Sequence, residues 1–420
     1  MGSRSHVRLP AALLLVAAVV VCAHYAQVWA VVPAVGARTS DYAGTYAAST
    51  LWRSGQGRAM YDVAAQEAVS RTAGAPGNHL FIPFENPPLA AVLAAPVSLL
   101  DATTAYRVWS LLQTAALLLA IIVAARAAPW PARRPRLSMP ACGAVALAGF
   151  GTGLLLVEGQ WDALPALGVA AAYAGWRRGN RFVPGLVAGF AFAVAKPHLA
   201  AGIVAFMVGR RDWRGLAGVA TGAAAVGLLG IALAGPAATS GFVGALLQPV
   251  NSPPAKMQGA TGLTGALLGG GLGPYVLALA LAAVAVLAAG RLGAVARRRP
   301  ALLEPAFLGA VTLSLWASPH LLGHDLVLLA PPLVAALAWS MDRDLAGART
   351  WPGPVSAALV AGWVALSLAS ASDLGQGWVG APGRLTPWVL LASGAAFVVA
   401  LRRRALAVQA PPRPLVTRGG

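Results

Sequence analysis

The run LPAALLLVAAVVVCAHYAQVWAVVPAV, residues 9–35, decides the fold class. A helix of about 20 residues, rising 1.5 Å per residue, crosses a ~30 Å hydrocarbon layer. The run is too long for the apolar core of a signal peptide, roughly 7–15 residues. With Arg4, His6 and Arg8 ahead of it, it reads as an uncleaved first span with its N-terminus inside. Comparable stretches recur along the chain. Of all residues, 58% are hydrophobic and 10% charged, against roughly a quarter charged in soluble domains. Mean hydropathy is +0.69. Period-2 alternation is absent, so a lipid-facing barrel is excluded and helices remain. The chain reads as an all-α polytopic membrane protein.

The net charge of +18 is not a nucleic-acid signature. Basic residues form short clusters between apolar segments: Arg133, Arg134 and Arg136; Arg177, Arg178 and Arg181; Arg210, Arg211 and Arg214; Arg297 to Arg299; Arg402 to Arg404. Such punctuation orients spans, with the clusters cytoplasmic. No basic face with interleaved aromatics exists, so nucleic acid is not a partner. Cys22 and Cys142 fall inside apolar segments and read as small core residues.

Orientation by Lys and Arg gives about 12 crossings with both termini cytoplasmic. One transmembrane domain covers 1–405, with outer loops at about 37–103 and 236–270 and a disordered cytoplasmic tail at 406–420. The segment 87–100, interrupted by Pro96, lies on the outer surface or dips in and returns. Asp101 is placed to cap the next helix. Residues 182–195 and 199–209 form a hairpin with Lys196-Pro197-His198 at its tip. A second polar loop holds Gln248 to Lys256, and a late crossing is expected at 352–371. Of 13 Asp and Glu, only Asp212, Glu304, Asp342 and Asp344 fall inside. Acids played no part in the orientation, so their gathering outside needs a reason.

Asp41 sits just past the first span, in Thr39-Ser40-Asp41-Tyr42-Ala43-Gly44-Thr45-Tyr46. It reads as a cap for a helix running through Leu51. It also reads as a general base, since a carboxylate held there can take a proton from a sugar or lipid hydroxyl. Glu85 and Asn86 precede Pro87-Pro88, a rigid entry into an apolar helix. Asp62 and Glu67 read as a solvated helix face. Glu158, Gln160 and Asp162 place two acids and an amide in one tight turn around Trp161, which suits an interface. Lys196, one of two lysines, can neutralise a phosphate as a point charge or snorkel to the interface. His198 stands two residues on. His320, His324 and Asp325 read H-x-x-x-H-D. A metal there would need a further ligand from elsewhere, so no metal or other cofactor is expected.

In this order the pieces resemble one family, the polyprenyl-phosphate-sugar-dependent mannosyltransferases of glycosyltransferase family 87, in the GT-C superfamily. The similar elements are Asp41-Tyr42; Leu51, Gly55 and Met60-Tyr61-Asp62; Phe84-Glu85-Asn86-Pro87-Pro88-Leu89 with Ala95-Pro96; Gly159-Gln160-Trp161-Asp162; Ala195-Lys196-Pro197; and Ser318-Pro319-His320 to His324. The turn departs from the pattern, with Asp162 where Asn or a small polar residue is expected. The resemblance implies a GT-C fold whose extracytoplasmic loops form the active site. It implies a lipid-phosphate mannose donor, a glycolipid or cell-envelope glycan acceptor, and Asp41 as catalytic base. Glu85, Asn86, Glu158, Gln160, Asp162, Lys196, His198, His320 and His324 would bind substrate. A bacterial plasma membrane is the expected location, because the low Lys and high Ala, Gly and Arg suit a GC-rich genome. Two other readings stay open: another lipid-linked sugar such as arabinofuranose, or a lipid or sugar transporter. A transporter of the inverted-repeat type would show an internal repeat and mid-span charges, and neither is found.

Overall fold

Proline, glycine and charge punctuate the apolar runs, and the helices stop where they do. The computed structural model describes residues 8–77, 79, 81–132, 137–246, 257–341 and 381–407, and every regular element among them is helical. α1 (Arg8–Val31) ends just before Val32-Pro33, because the residue ahead of a proline is pushed out of the helical region. α2 (Ala34–Arg38), α3 (Tyr42–Arg53), α4 (Val63–Thr72) and α5 (Pro88–Ala94) follow. α6 (Ala102–Ala127) opens on Asp101, whose Oδ1 accepts from the Thr103 and Thr104 N–H groups at 3.1 Å, the expected cap. Asp62 caps α4 in the same way, and Glu67 pairs with Arg71 one turn on.

The bundle continues through α7 (Ser138–Leu147), α8 (Phe150–Glu158), α9 (Ala163–Arg178), α10 (Phe182–Ala195), α11 (Ala201–Arg210), α12 (Trp213–Ala234), α13 (Pro236–Leu246), α14 (Ala260–Leu268), α15 (Leu272–Arg298), α16 (Leu303–Ala317), α17 (Ala330–Met341) and α18 (Ala381–Ala407). Among the described residues, five helical stretches are long and apolar enough to cross a membrane: Ala102–Ala127, Trp213–Ala234, Leu272–Arg298, Pro300–Ala317 and Gly323–Met341. The bent pair of α7 and α8 would make a sixth. The chain is a polytopic membrane protein, but helix length does not reach the expected count of crossings. The reason is geometric. α10 and α11 have 14 and 10 residues, about 21 and 15 Å at 1.5 Å per residue, short of a ~30 Å layer.

The two expected outer loops are largely helical: 37–103 folds into α3, α4 and α5, and 236–270 contains α13 and α14. In the segment 87–100, Leu89, Ala90, Ala91 and Ala94 are buried within the protein. The crossing expected at 352–371, the residues Gln248 to Lys256 and the tail beyond 407 lie outside the described residues.

Glycine sets the closest helix contact. A Cβ on Gly209 of α11 would lie 1.8 Å from the Gly290 carbonyl oxygen of α15. Small residues let backbones meet this closely where lipid tails remove the hydrophobic drive between helices. The main core gathers Tyr173, Phe206, Phe307 and Trp339, and a second core packs Tyr42, Phe84, Trp109 and Trp161. Cys22 and Cys142 are unpaired, and Cys142 is buried.

α9, α10 and α16 carry polar groups at both ends. α9 runs from Asp162 to Arg178, α10 from Arg181 to Lys196, and α16 from Glu304 towards His320. Asp162, Lys196 and the histidines therefore meet at one end of the bundle, and Arg177, Arg181 and Glu304 at the other.

Candidate active site

The turn after α8 joins the first polar loop to the bundle. Gly159 closes α8 with φ +67, and a Cβ there would fall 2.9 Å from the Tyr42 Cβ. Only glycine combines that backbone with so close a neighbour. Trp109 Nε1 donates to the Gly159 carbonyl at 2.9 Å and its ring stacks on Tyr42. Trp161 is 2% exposed. It lies in the core against Trp109, and its Nε1 donates to Thr45 Oγ1 at 3.1 Å. The expected interfacial position is thus corrected: the indole N–H has a partner inside, so burying the ring leaves no polar group unsatisfied.

Asp41 precedes α3 but does not cap it. Its backbone is already helical (φ −60, ψ −25), which turns the carboxylate away from the first N–H groups. The carboxylate accepts instead from Gln160 Nε2. Both residues are half-buried. The sequence reading of a cap is replaced by an acid tethered across 119 residues to the turn of α8.

Glu85 and Asn86 enter from the other side. Asn86 Nδ2 donates to the Ala195 carbonyl at 2.7 Å, and the Asn86 carbonyl accepts from Tyr61 OH at 2.5 Å. These bonds fix the strand-like lead into α5 against the end of α10. Glu85 belongs to an exposed residue position, yet partial burial of its carboxyl raises its pKa. Lys196 opposes the rise and Asp41 adds to it, which places all three charges in one field.

Lys196 lies at the hairpin tip, as its sequence position suggests. Its Nζ is 2.7 Å from Asp325 Oδ1, 3.0 Å from Asp162 Oδ1 and 3.2 Å from His324 Nδ1. His324 Nδ1 is 2.8 Å from Asp162 Oδ2. Both carboxylates are fully buried and the Lys196 side chain is 11% exposed. Burial works against the ammonium, but Asp162 and Asp325 together outweigh it and raise the Lys196 pKa. Asp325 Oδ2 also accepts from the Leu322 N–H at 2.6 Å. Ser314 Oγ of α16 donates to the Leu199 carbonyl at 2.7 Å and ties the hairpin tip to the same end.

His198 and His320 face each other edge to face, with ring centres 6.2 Å apart. Burial first of all lowers both to about 4, with the Lys196 charge adding and Asp325 opposing. Both imidazoles are neutral at physiological pH. His324 Nε2 is buried with no hydrogen-bond partner among the described residues. Asp162, His324 and Asp325 offer ligand atoms within 4.8 Å of one another, a spacing that fits a metal ion. The Lys196 ammonium already supplies positive charge to those two carboxylates.

The structure therefore brings together Asp41, Glu85, Asn86, Gln160, Asp162, Lys196, His198, His320 and His324. Glu158, at the end of α8, interacts electrostatically with Tyr106. Two participants had no substrate-binding role in the sequence reading. Asp325 was signalled only by its place next to His324. Tyr61 had no signal beyond the motif around it, since its bond is to a backbone carbonyl 25 residues away.

Residues 84–319 match the family model for Glycosyltransferase family 87, more than half of the chain. Comparison with curated proteins and with solved structures gives no match.

Proposed function

The chain belongs to glycosyltransferase family 87, and from that premise we propose a mannosyl transfer from a polyprenyl-phosphate donor to a hydroxyl of a glycolipid or cell-envelope glycan. The reading places the Asp41 end outside the cytoplasm of a bacterial plasma membrane, in a GT-C fold of about 12 crossings, with both termini inside. No metal or cofactor enters it.

The observation that carries it is the tethered, half-buried Asp41 in one field with Glu85 and Lys196. Asp41 takes the acceptor proton as the hydroxyl oxygen attacks the anomeric carbon. The bond from that carbon to the phosphate oxygen breaks in the same displacement, and the configuration inverts. The electron pair leaves on the phosphate, which needs no acid. Lys196 and the histidines beside it provide positive or hydrogen-bonding groups where that charge grows. Gln160 fixes the Asp41 carboxylate in the required direction. Glu85 and Asn86 contact the sugar or the acceptor.

The test uses membranes carrying the protein, radiolabelled polyprenyl-phosphate mannose and native lipid extract. Label passes into a new lipid or glycan with the wild type. Asp41→Asn keeps the shape, removes the basicity and loses about 10²–10⁴-fold in turnover. Near-normal turnover in that variant overturns the assignment of the base. Transfer only from another lipid-linked sugar overturns the mannosyl reading.

A further inference from the structure

Asp325 carries two bonds that join separate parts of the chain. Oδ2 takes the Leu322 N–H at 2.6 Å and closes the turn that opens Gly323–Leu329. Oδ1 takes Lys196 Nζ at 2.7 Å, across 129 residues, from the tip between α10 and α11. A cap requires only the first bond. The second ties a fully buried carboxylate to a buried ammonium, and burying such groups is costly unless each is well paired. Asp162 approaches the same ammonium from the turn before α9 and holds His324 Nδ1 as well. Lys196 is thus fixed from two directions before any substrate arrives. His324 Nε2 remains buried without a partner among the described residues, the feature that points to a ligand here.

We infer that Asp325 is a positioning residue of the transfer reaction, holding Lys196, with the help of Asp162, where the departing lipid phosphate gains its charge. The inference rests on the lipid-phosphate reading above. The phosphodiester donor arrives with one negative charge and leaves as a monoester with one more. Charge that appears during the reaction is stabilised best by groups already in place, since none has to reorganise as the bond breaks. Asp325 provides that order without touching the substrate. Asp162 acts with it, which makes Asp162 a second support for Lys196 and not a direct sugar ligand. The reacting bonds are unchanged: the acceptor oxygen joins the anomeric carbon, the carbon–phosphate oxygen bond breaks, and the proton goes to Asp41.

The test compares Asp325→Asn, Lys196→Met and the charge-balanced double variant K196M/D325N, each as the full chain in detergent. Three readouts are taken: kcat and KM on the active donor, the pH profile of kcat, and binding of a polyprenyl phosphate. The groups facing Lys196 are Asp162, Asp325, His324, Glu85, His198 and His320. Removing the Asp325 charge lowers the Lys196 pKa, so the alkaline fall in kcat begins at a lower pH. In Asp325→Asn, kcat drops about 100-fold, KM for the donor changes less, and polyprenyl phosphate binds more weakly. In the Lys196→Met background the same change has little further effect on kcat. The double variant keeps the melting temperature closer to wild type than either single change, which separates misfolding from lost positioning. Independent, multiplying effects of the two changes overturn the inference. So does an Asp325→Asn protein with the wild-type pH profile and wild-type polyprenyl phosphate affinity. Failure of the mannosyl reading shows separately, as a wild type active only on another lipid-phosphate sugar, and the variants are then compared on that donor. If no lipid-phosphate sugar is used, unchanged polyprenyl phosphate binding across the variants overturns the inference on its own.

Discussion

The two ends of α9, α10 and α16 hold buried acids in opposite ways. At the Arg-rich end, Glu304 accepts from Tyr173 OH at 3.0 Å and lies 3.6 Å from Arg177. Asp212 accepts from Trp176 Nε1 at 2.7 Å and the Gly215 N–H at 3.2 Å, with Arg181 at 3.7 Å. The Arg177 and Arg181 side chains are 35% and 43% exposed. Water reaches those cations and screens them, and neutral donors do most of the holding. At the Asp41 end the ammonium is 11% exposed, its two carboxylates not at all, and His324 is 5% exposed. Little water screens that field. A screened cluster ties helices together. An unscreened one keeps a strong field at a fixed place, which is what a growing phosphate charge requires. About 24 Å of helix separates the two ends, from the 16 residues of α9.

The largest break in this comparison is Lys196→Met. It leaves two buried carboxylates without their main partner and costs about 3–5 kcal/mol of stability, with transfer falling at least 100-fold. Arg177→Met, at the exposed end, costs about 1 kcal/mol or less and leaves turnover per folded molecule near wild type. Thermal melts and transfer assays on the pair measure the contrast.

Acid separates the ends next. His198 and His320 titrate at about 4 in the folded chain and near 6.5 unfolded. The unfolded chain therefore binds more protons between those values, and stability declines as pH falls from about 6.5 to about 4. Melting temperature across that window falls in the wild type and falls less in His320→Gln.

Gly159→Ala sharpens the role of the α8 turn. The left-handed backbone and the Tyr42 contact make it cost about 1–3 kcal/mol, and Asp41 loses its fixed direction, so transfer falls further than stability alone explains. Its counterpart at the Arg-rich end is Trp176→Phe. It deletes one hydrogen bond to Asp212, about 1.5–3 kcal/mol at most for a charged acceptor, while turnover per folded molecule holds. A loss of turnover matching that of Gly159→Ala would erase the distinction between the two ends.

Much of the fold was legible because hydropathy acts locally. The apolar runs marked the helices, Asp101 marked a cap, and Lys196-Pro197-His198 marked a hairpin tip. The same locality explains the misses. Its Gly and Pro content made 236–270 look like a loop, because a short helix such as α14 is stabilised by burial of Ala260 and Leu263 and not by its own propensity. Asp41 had the sequence position of a cap, yet its backbone entered the helix early and Gln160 took the carboxylate. Trp161 had the composition of an interface and the environment of a core.

The sequence by itself determined an all-helical membrane protein, the placement of its acids apart from its arginine clusters, and the residues that resemble a glycosyltransferase. Each of those follows from a residue and its near neighbours, through transfer of apolar side chains into lipid and the cost of charge there. Only the tertiary structure decided that Lys196 meets Asp162, His324 and Asp325, that Asn86 holds the end of α10, and that Gln160 holds Asp41. Those contacts span 34 to 129 residues, and long-range pairing depends on which helix faces meet. Hydropathy does not record that choice, because one apolar helix face looks much like another until side-chain shape and buried charge select its partner.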